Sequence, residues 1–151
     1  MALKADRIEA YTDISFFCNT LSERGGIVVH VSGGSGVAMD DSNAVVGYSA
    51  SQSGTLPAGL LLNDVVNYDL TRQHINWHRD EVQVGSKVTL LRQGQVTTNM
   101  VVSGVTPSVG ENAYYGVSGR LTNNNTNSVK VGRFLSSKDA DGYVKVDINI
   151  T

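Results

Sequence analysis

The stretch YVKVDINI, residues 143–150, decides the fold class. Every second residue along it is apolar: Val144, Val146, Ile148 and Ile150. A period of two predicts a strand with one buried face. Residues 129–135 predict a partner strand, and the connector 136–142, SSKDADG, supplies turn-forming residues. Together these segments predict a hairpin whose apolar face points towards a core.

Other parts of the chain also favour strands. A second hairpin is predicted between residues 87–92 and 95–102, with Gly94 in the bend at a positive φ. Three further strand candidates are β-rich and bounded by Gly, Ser or Asn: residues 26–31, 44–48 and 113–117. Helical periodicity is scarce, and the best helix candidates are residues 3–11 and, weakly, part of 64–77.

These signals predict a mainly β protein, a small barrel or sandwich with long loops. The 16 glycines and two prolines are spread among short strands, which is typical of such folds. A chain of 151 residues fits one domain with a normal core. Residues 1–24 look different because they precede the first strong strand and hold Phe16 and Phe17. We therefore predict an N-terminal arm over residues 1–24 and a β-barrel domain over residues 25–151.

The overall composition argues against several classes of partner and location. A net charge of −2 provides no basic footprint for nucleic acid. The lone Cys18 rules out an internal disulfide, and fits a small buried residue in a protein made in a reducing cytoplasm. The N-terminal residues are too charged for a signal peptide, and no apolar run is long enough to cross a membrane. We expect neither nucleic acid nor membrane as a partner.

The best enzyme-like pattern is His74 to His78 with Asp80 and Glu81 nearby. Two histidines four apart on a helix can share a metal, but the zincin pattern needs Glu where Ile75 stands. A surface or subunit contact is the competing interpretation of this aromatic, charged segment. Patterns for a serine nucleophile, a phosphate-binding loop and a calcium loop are each incomplete. The sequence therefore predicts no catalytic residue, no cofactor and no metal.

A family resemblance rests on four segments. They are VGRFL at 131–135, GYVKV at 142–146, GLLLNDVVN at 59–67 and GSKVTLL at 85–91. In these segments, the chain resembles the decoration (cement) proteins of tailed-phage capsids over residues 25–150. The resemblance implies a structural protein on the outer surface of an expanded capsid, often trimeric, that connects neighbouring capsid subunits. The implied partners are the major capsid protein and further copies of the chain, which would be made in the host cytoplasm.

One rival function stays open, a sugar-binding or host-adhesion module displayed on the virion. Polar loops around a β-scaffold also suit glycan recognition. The sign that would favour this function is a cluster of exposed aromatic side chains on one loop face. Tyr114 and Tyr115 form the only adjacent aromatic pair besides Phe16 and Phe17, so that sign is weak.

The predicted contact residues are apolar or aromatic residues of the arm and two interface-forming residues of the histidine segment. They are Ile14, Phe16, Phe17, Leu21, Trp77 and Arg79. The four arm residues are too apolar to leave in water, so we expect them to dock on a capsid subunit or a neighbouring copy. In the alternative, Phe16 and Phe17 fill the end of the barrel in their own subunit.

Overall fold

The strands of this chain are seen in a computed structural model that describes residues 2–31, 44–67 and 81–150. Those residues form strands and a single 3-10 turn, Val117–Gly119, so the chain is mainly β as predicted. The strands are β1 (Ile8–Cys18), β2 (Ile27–His30), β3 (Val45–Gly47), β4 (Pro57–Leu61), β5 (Asp64–Val66), β6 (Glu81–Gln83), β7 (Lys87–Thr98), β8 (Asn112–Tyr115), β9 (Leu121–Thr122), β10 (Lys130–Phe134) and β11 (Val144–Asn149).

Nine strands form one curled sheet in the order β1-β3-β2-β4-β7-β11-β10-β8-β9. β1 also pairs with β7, so the first five strands of that order make a hydrogen-bonded circuit. The remaining four strands continue from β7 and end at the short strand β9, so the sheet as a whole is not a closed barrel. β5 and β6 form a separate parallel pair.

β7 is the central strand of the sheet. β1 runs antiparallel along one edge of it, from Phe17 opposite Lys87 to Ile8 opposite Gln95. β4 and β11 share the other edge. Ahead of β1, Leu3 forms a bridge with Thr98. Much of β7 therefore has a hydrogen-bonded neighbour on both sides.

The predicted closing hairpin is confirmed. β10 and β11 pair antiparallel with Phe134 opposite Val146. Along β11 the buried residues Val144, Val146 and Ile148 alternate with partly or fully exposed ones. In the connector, the Asp139 carboxylate accepts hydrogen bonds from the backbone N–H groups of Asp141 and Tyr143 at 3.0 and 2.8 Å.

Two local predictions are wrong. The second hairpin is instead the single strand β7, and Gly94 lies within it with a φ of 156°. Glycine is needed there because a Cβ would overlap the carbonyl oxygen of Ile8 on β1. The helix predicted over residues 3–11 is absent, since β1 begins at Ile8. Most residues in the first half of β1 are exposed, so inward and outward positions do not alternate there in the way that would predict a strand.

Residues 2–31 contribute both to the sheet and to the core. Ala2 and Leu3 are almost fully buried, as is Cys18 at the end of β1. The Lys4 amide donates to the Thr97 carbonyl oxygen at 2.9 Å. The division of the chain at residue 24 stays a prediction, but part of the segment before it stabilises the domain.

Two apolar cores lie on opposite faces of β2, β4 and the first half of β7. Ile27, Leu60 and Leu91 belong to the larger core, which extends over β8 to β11. Their sequence neighbours Val28, Leu61 and Leu90 belong to the smaller core, inside the five-strand circuit. Because both faces are covered, these strands read as continuous apolar runs rather than alternating ones.

No helix in residues 2–31, 44–67 or 81–150 is long and apolar enough to cross a membrane.

Candidate functional site

Three cavities lie beside the end of β11 and are related by shared lining residues. Their volumes are 310, 420 and 290 Å³. The first two share Ile150, and the second and third share Lys130 and Asn149. We call this feature the β11 groove; its lining residues are Tyr11, His30, Leu56, Pro57, Arg92, Gln93, Val129, Lys130, Gly132, Arg133, Asp147, Asn149 and Ile150.

The groove is built where several strands begin or end. β2 ends at His30, β4 begins at Pro57 and β10 begins at Lys130. The His30 amide donates to the Leu56 carbonyl oxygen at 3.0 Å, which fixes the chain entering β4. Segments far apart in the sequence therefore contribute to one surface.

Parts of the groove wall are apolar yet open to solvent. Leu56 is 68% exposed, Tyr11 60% and Val129 40%. Ile150 is partly buried and packs against the larger core. Apolar side chains grouped along a concave surface are typical of interaction sites rather than of ordinary protein surface.

Arg92 is held firmly in the groove wall. A guanidinium nitrogen lies 3.6 Å from the Asp13 carboxylate, and Nε donates to the Ile150 carbonyl oxygen at 3.3 Å. The Ile150 amide in turn donates to the Arg92 carbonyl oxygen at 2.8 Å. These contacts fix a cation whose side chain is still one-third exposed.

The other cations of the groove are less constrained. Lys130 and Arg133 are exposed on β10, and neither forms an ion pair with another residue of the described ranges. Among the lining residues that the structure describes, Asp147 is the one carboxylate, and it lies opposite Arg133 in the β10–β11 ladder.

His30 links the groove to the smaller core. Its ring lies edge-on to Phe16, with 5.1 Å between the ring centroids and an angle of 64°. Burial lowers the pKa of His30 below its ordinary value of 6.5, and the Arg92 charge lowers it further. The Asp13 carboxylate acts in the opposite direction but more weakly. The imidazole is therefore neutral at pH 7.

The predicted contact residues are not brought together in this groove. Ile14 on β1 and Leu21 beyond it are 46% and 65% exposed, but neither is a lining residue. Phe16 packs against the smaller core of its own chain. Phe17 has the Lys87 ammonium 5.7 Å from its ring centroid. Their role as contacts stays a prediction.

Trp77 and Arg79 lie outside the described residues, as do His74 and His78. Within the described ranges, no group of three or more His, Cys, Asp or Glu side chains is placed to hold a metal ion.

The Tyr114–Tyr115 pair does not form an exposed aromatic face. Tyr115 is fully buried, and its hydroxyl donates to the Ser49 carbonyl oxygen at 2.9 Å and accepts from the Ser49 amide at 3.0 Å. Tyr114 is partly buried. The sign that would favour glycan binding is therefore missing at this pair.

A comparison with known families gives a match over nearly the whole chain. Residues 6–149 match the family described as structural cement protein (E217 gp24/Pam3 gp6). The chain belongs to this structural cement protein family. The matched range includes every strand from β1 to β11. None of the curated proteins compared with this cement protein matches it.

Membership in the structural cement protein family confirms the resemblance to capsid cement proteins seen in the sequence. It gives the cement protein a structural, capsid-stabilising role and a location on the phage capsid. The groove residues were not found from the sequence, because they come from strand ends that no local pattern connects.

Proposed function

We propose that this cement protein binds the outer surface of the mature capsid and stabilises it by bridging neighbouring subunits of the major capsid protein. The family match over residues 6–149 is the observation that carries the proposal. On this proposal the protein acts by binding alone, without catalysis, and as a homo-oligomer, with a trimer favoured. Synthesis in the host cytoplasm is part of the same proposal.

Surface chemistry supports a binding role. Only 17% of the residues are charged, well below the roughly 25% usual for soluble domains. Several large apolar side chains are at least 60% exposed: Ile8, Tyr11, Leu21, Leu56 and Val109. Covering such side chains with a partner surface stabilises the complex, by an amount that grows with the buried apolar area.

The stabilising effect can be measured on shells assembled without the protein. A ligand that binds only the assembled state stabilises that state by mass action. We expect saturating cement protein to raise the temperature of DNA release, or of shell disruption, by several degrees. Equal temperatures with and without bound protein would contradict the cement role while leaving the capsid location intact.

If the protein bridges neighbouring capsid subunits, its affinity for assembled shells should differ from its affinity for free subunits. A protein that contacts two neighbouring subunits should bind expanded shells much more tightly than isolated capsid subunits, because the second contact becomes intramolecular. Co-sedimentation with shells, and titration of free subunits, measure the two affinities. Equal affinities per subunit would mean that the protein binds one subunit at a time.

A further inference from the structure

The β11 groove is a basic patch on an acidic protein. The whole chain has 14 acidic residues against 12 basic ones. Among the described lining residues the balance is reversed, since Arg92, Lys130 and Arg133 stand against one carboxylate, Asp147. Cations still outnumber carboxylates when Asp13, the ion-pair partner of Arg92, is counted. His30 adds no charge at neutral pH because its pKa is lowered. The groove therefore favours a partner with negative charge.

The β11 groove also has apolar walls. Leu56, Pro57 and Val129 line the same cavity as Lys130, and Tyr11 lines the next cavity with Arg92. Lys130 and Arg92 thus each stand beside apolar surface. A partner that fills both kinds of site needs carboxylates and apolar side chains within one short stretch.

Part of the site is organised before any partner arrives. Asp13 and the Ile150 carbonyl oxygen hold the Arg92 side chain in position. A cation that is already fixed loses little conformational entropy when a carboxylate docks on it.

We propose that the β11 groove binds an extended segment of a capsid subunit whose carboxylates lie on Arg92 and Lys130 and whose apolar side chains cover Leu56 and Val129. This inference rests on the proposed function and names the surface that performs it. An extended segment fits because Ile150 lines both the first and the second cavity, and Lys130 and Asn149 line both the second and the third, so one short segment can reach all three.

A second copy of this chain is a poorer occupant. A two-fold contact uses the same patch on both copies. Through this groove a two-fold contact would bring the cations of one copy against those of the other, and like charges held close together are unfavourable. A cyclic trimer would instead place a different patch of the neighbouring copy in the groove, and sedimentation of the free protein tests for that contact.

The test uses shells assembled without cement protein as the probe. Two groove variants, Lys130→Glu and Leu56→Ser, are compared with matched controls outside the groove. Lys145→Glu makes the same charge change at an exposed position of β11, and Val109→Ser makes a similar apolar change at a 70% exposed position. Thermal melts followed by circular dichroism establish that all four variants are folded.

We expect Lys130→Glu to weaken binding to the shells by about tenfold or more, since it replaces an attraction by a repulsion. Leu56→Ser should weaken binding several-fold, and both controls should bind like the unmodified protein. Added salt should weaken binding of the unmodified protein more steeply than binding of Lys130→Glu, because screening acts on the charge pairs.

Three outcomes separate the possibilities. Failure of the unmodified protein to bind shells defeats the proposed function itself. Normal binding by both groove variants overturns the groove assignment alone. A change in the sedimentation of the free protein on Lys130→Glu would mean that a second copy occupies the groove, which also overturns it.

Discussion

At the scale of single residues, the closing strand separates core from surface one position at a time. Val146 and Ile148 have no exposed surface, and Lys145 beside them is exposed. Because successive side chains of a strand point to opposite faces, the alternation in the sequence determines which face is buried. The sequence alone was enough for this assignment.

Replacing Val146 by Asp should be severely destabilising. The carboxyl group would enter the larger core without a partner and in its protonated form, at a cost on the order of 2 to 7 kcal/mol, as for other uncharged polar groups. Urea unfolding and the yield of soluble protein measure the effect. The matched change Lys145→Ala should stay within about 0.5 kcal/mol of the unmodified protein. Tolerance of Val146→Asp together with damage from Lys145→Ala would reverse the assigned faces.

His30 should make the stability of the protein depend on pH. Its pKa in the folded state lies below the ordinary 6.5, so the unfolded chain takes up the proton first as the pH falls. The unfolding free energy should therefore decrease as the pH drops below about 6.5. Because His30 is partly exposed, solvent screens the effect and keeps it modest.

The variant His30→Gln isolates this contribution, since glutamine does not titrate. Urea unfolding at about pH 7.5 and about pH 5 should show a larger loss for the unmodified protein than for the variant. Equal losses would mean that the pKa of His30 is not lowered in the folded state.

At the scale of elements, β7 determines how the sheet is assembled. The sequence predicts a bend between two strands at Gly94. In the structure this glycine lies inside β7, and its lack of a side chain allows β1 to approach closely. That approach depends on Ile8, far away in the sequence, so no local pattern reports it. The closing hairpin was predictable for the opposite reason, because its strands and turn are neighbours along the chain.

The residues before β1 should matter for stability. Leu3 is 1% exposed and belongs to the larger core, so Leu3→Ala should lower the unfolding free energy by about 2 to 5 kcal/mol. Ile8→Ala is the control, because that side chain is 61% exposed and should cost less than about 0.5 kcal/mol. Chemical denaturation measures both. A neutral Leu3→Ala would mean that this segment acts as an arm independent of the core.

At the scale of the whole molecule, the fold class and the family were predictable from the sequence, and the groove was not. Short strands, turn residues and the closing hairpin are local signals that add up to a β domain. The groove depends on Leu56, Lys130 and Ile150 meeting, which only the order of the strands determines. The predicted contacts of the arm rest on their apolar character, and the fold uses one of them, Phe16, in its own core.

The position of β7 between β1 and β11 has a consequence for protein synthesis. During translation, β1 and β7 are made early enough to pair, but the larger core needs Ile148 of β11 as well as Leu3. That core cannot close until β11 has left the ribosome, and contacts so distant in sequence form slowly. A chain released early would expose part of the edge of β7, which invites aggregation. A chain that lacks β11 should therefore leave the larger core open, so folding of this domain has to wait for one of the last segments to be synthesised.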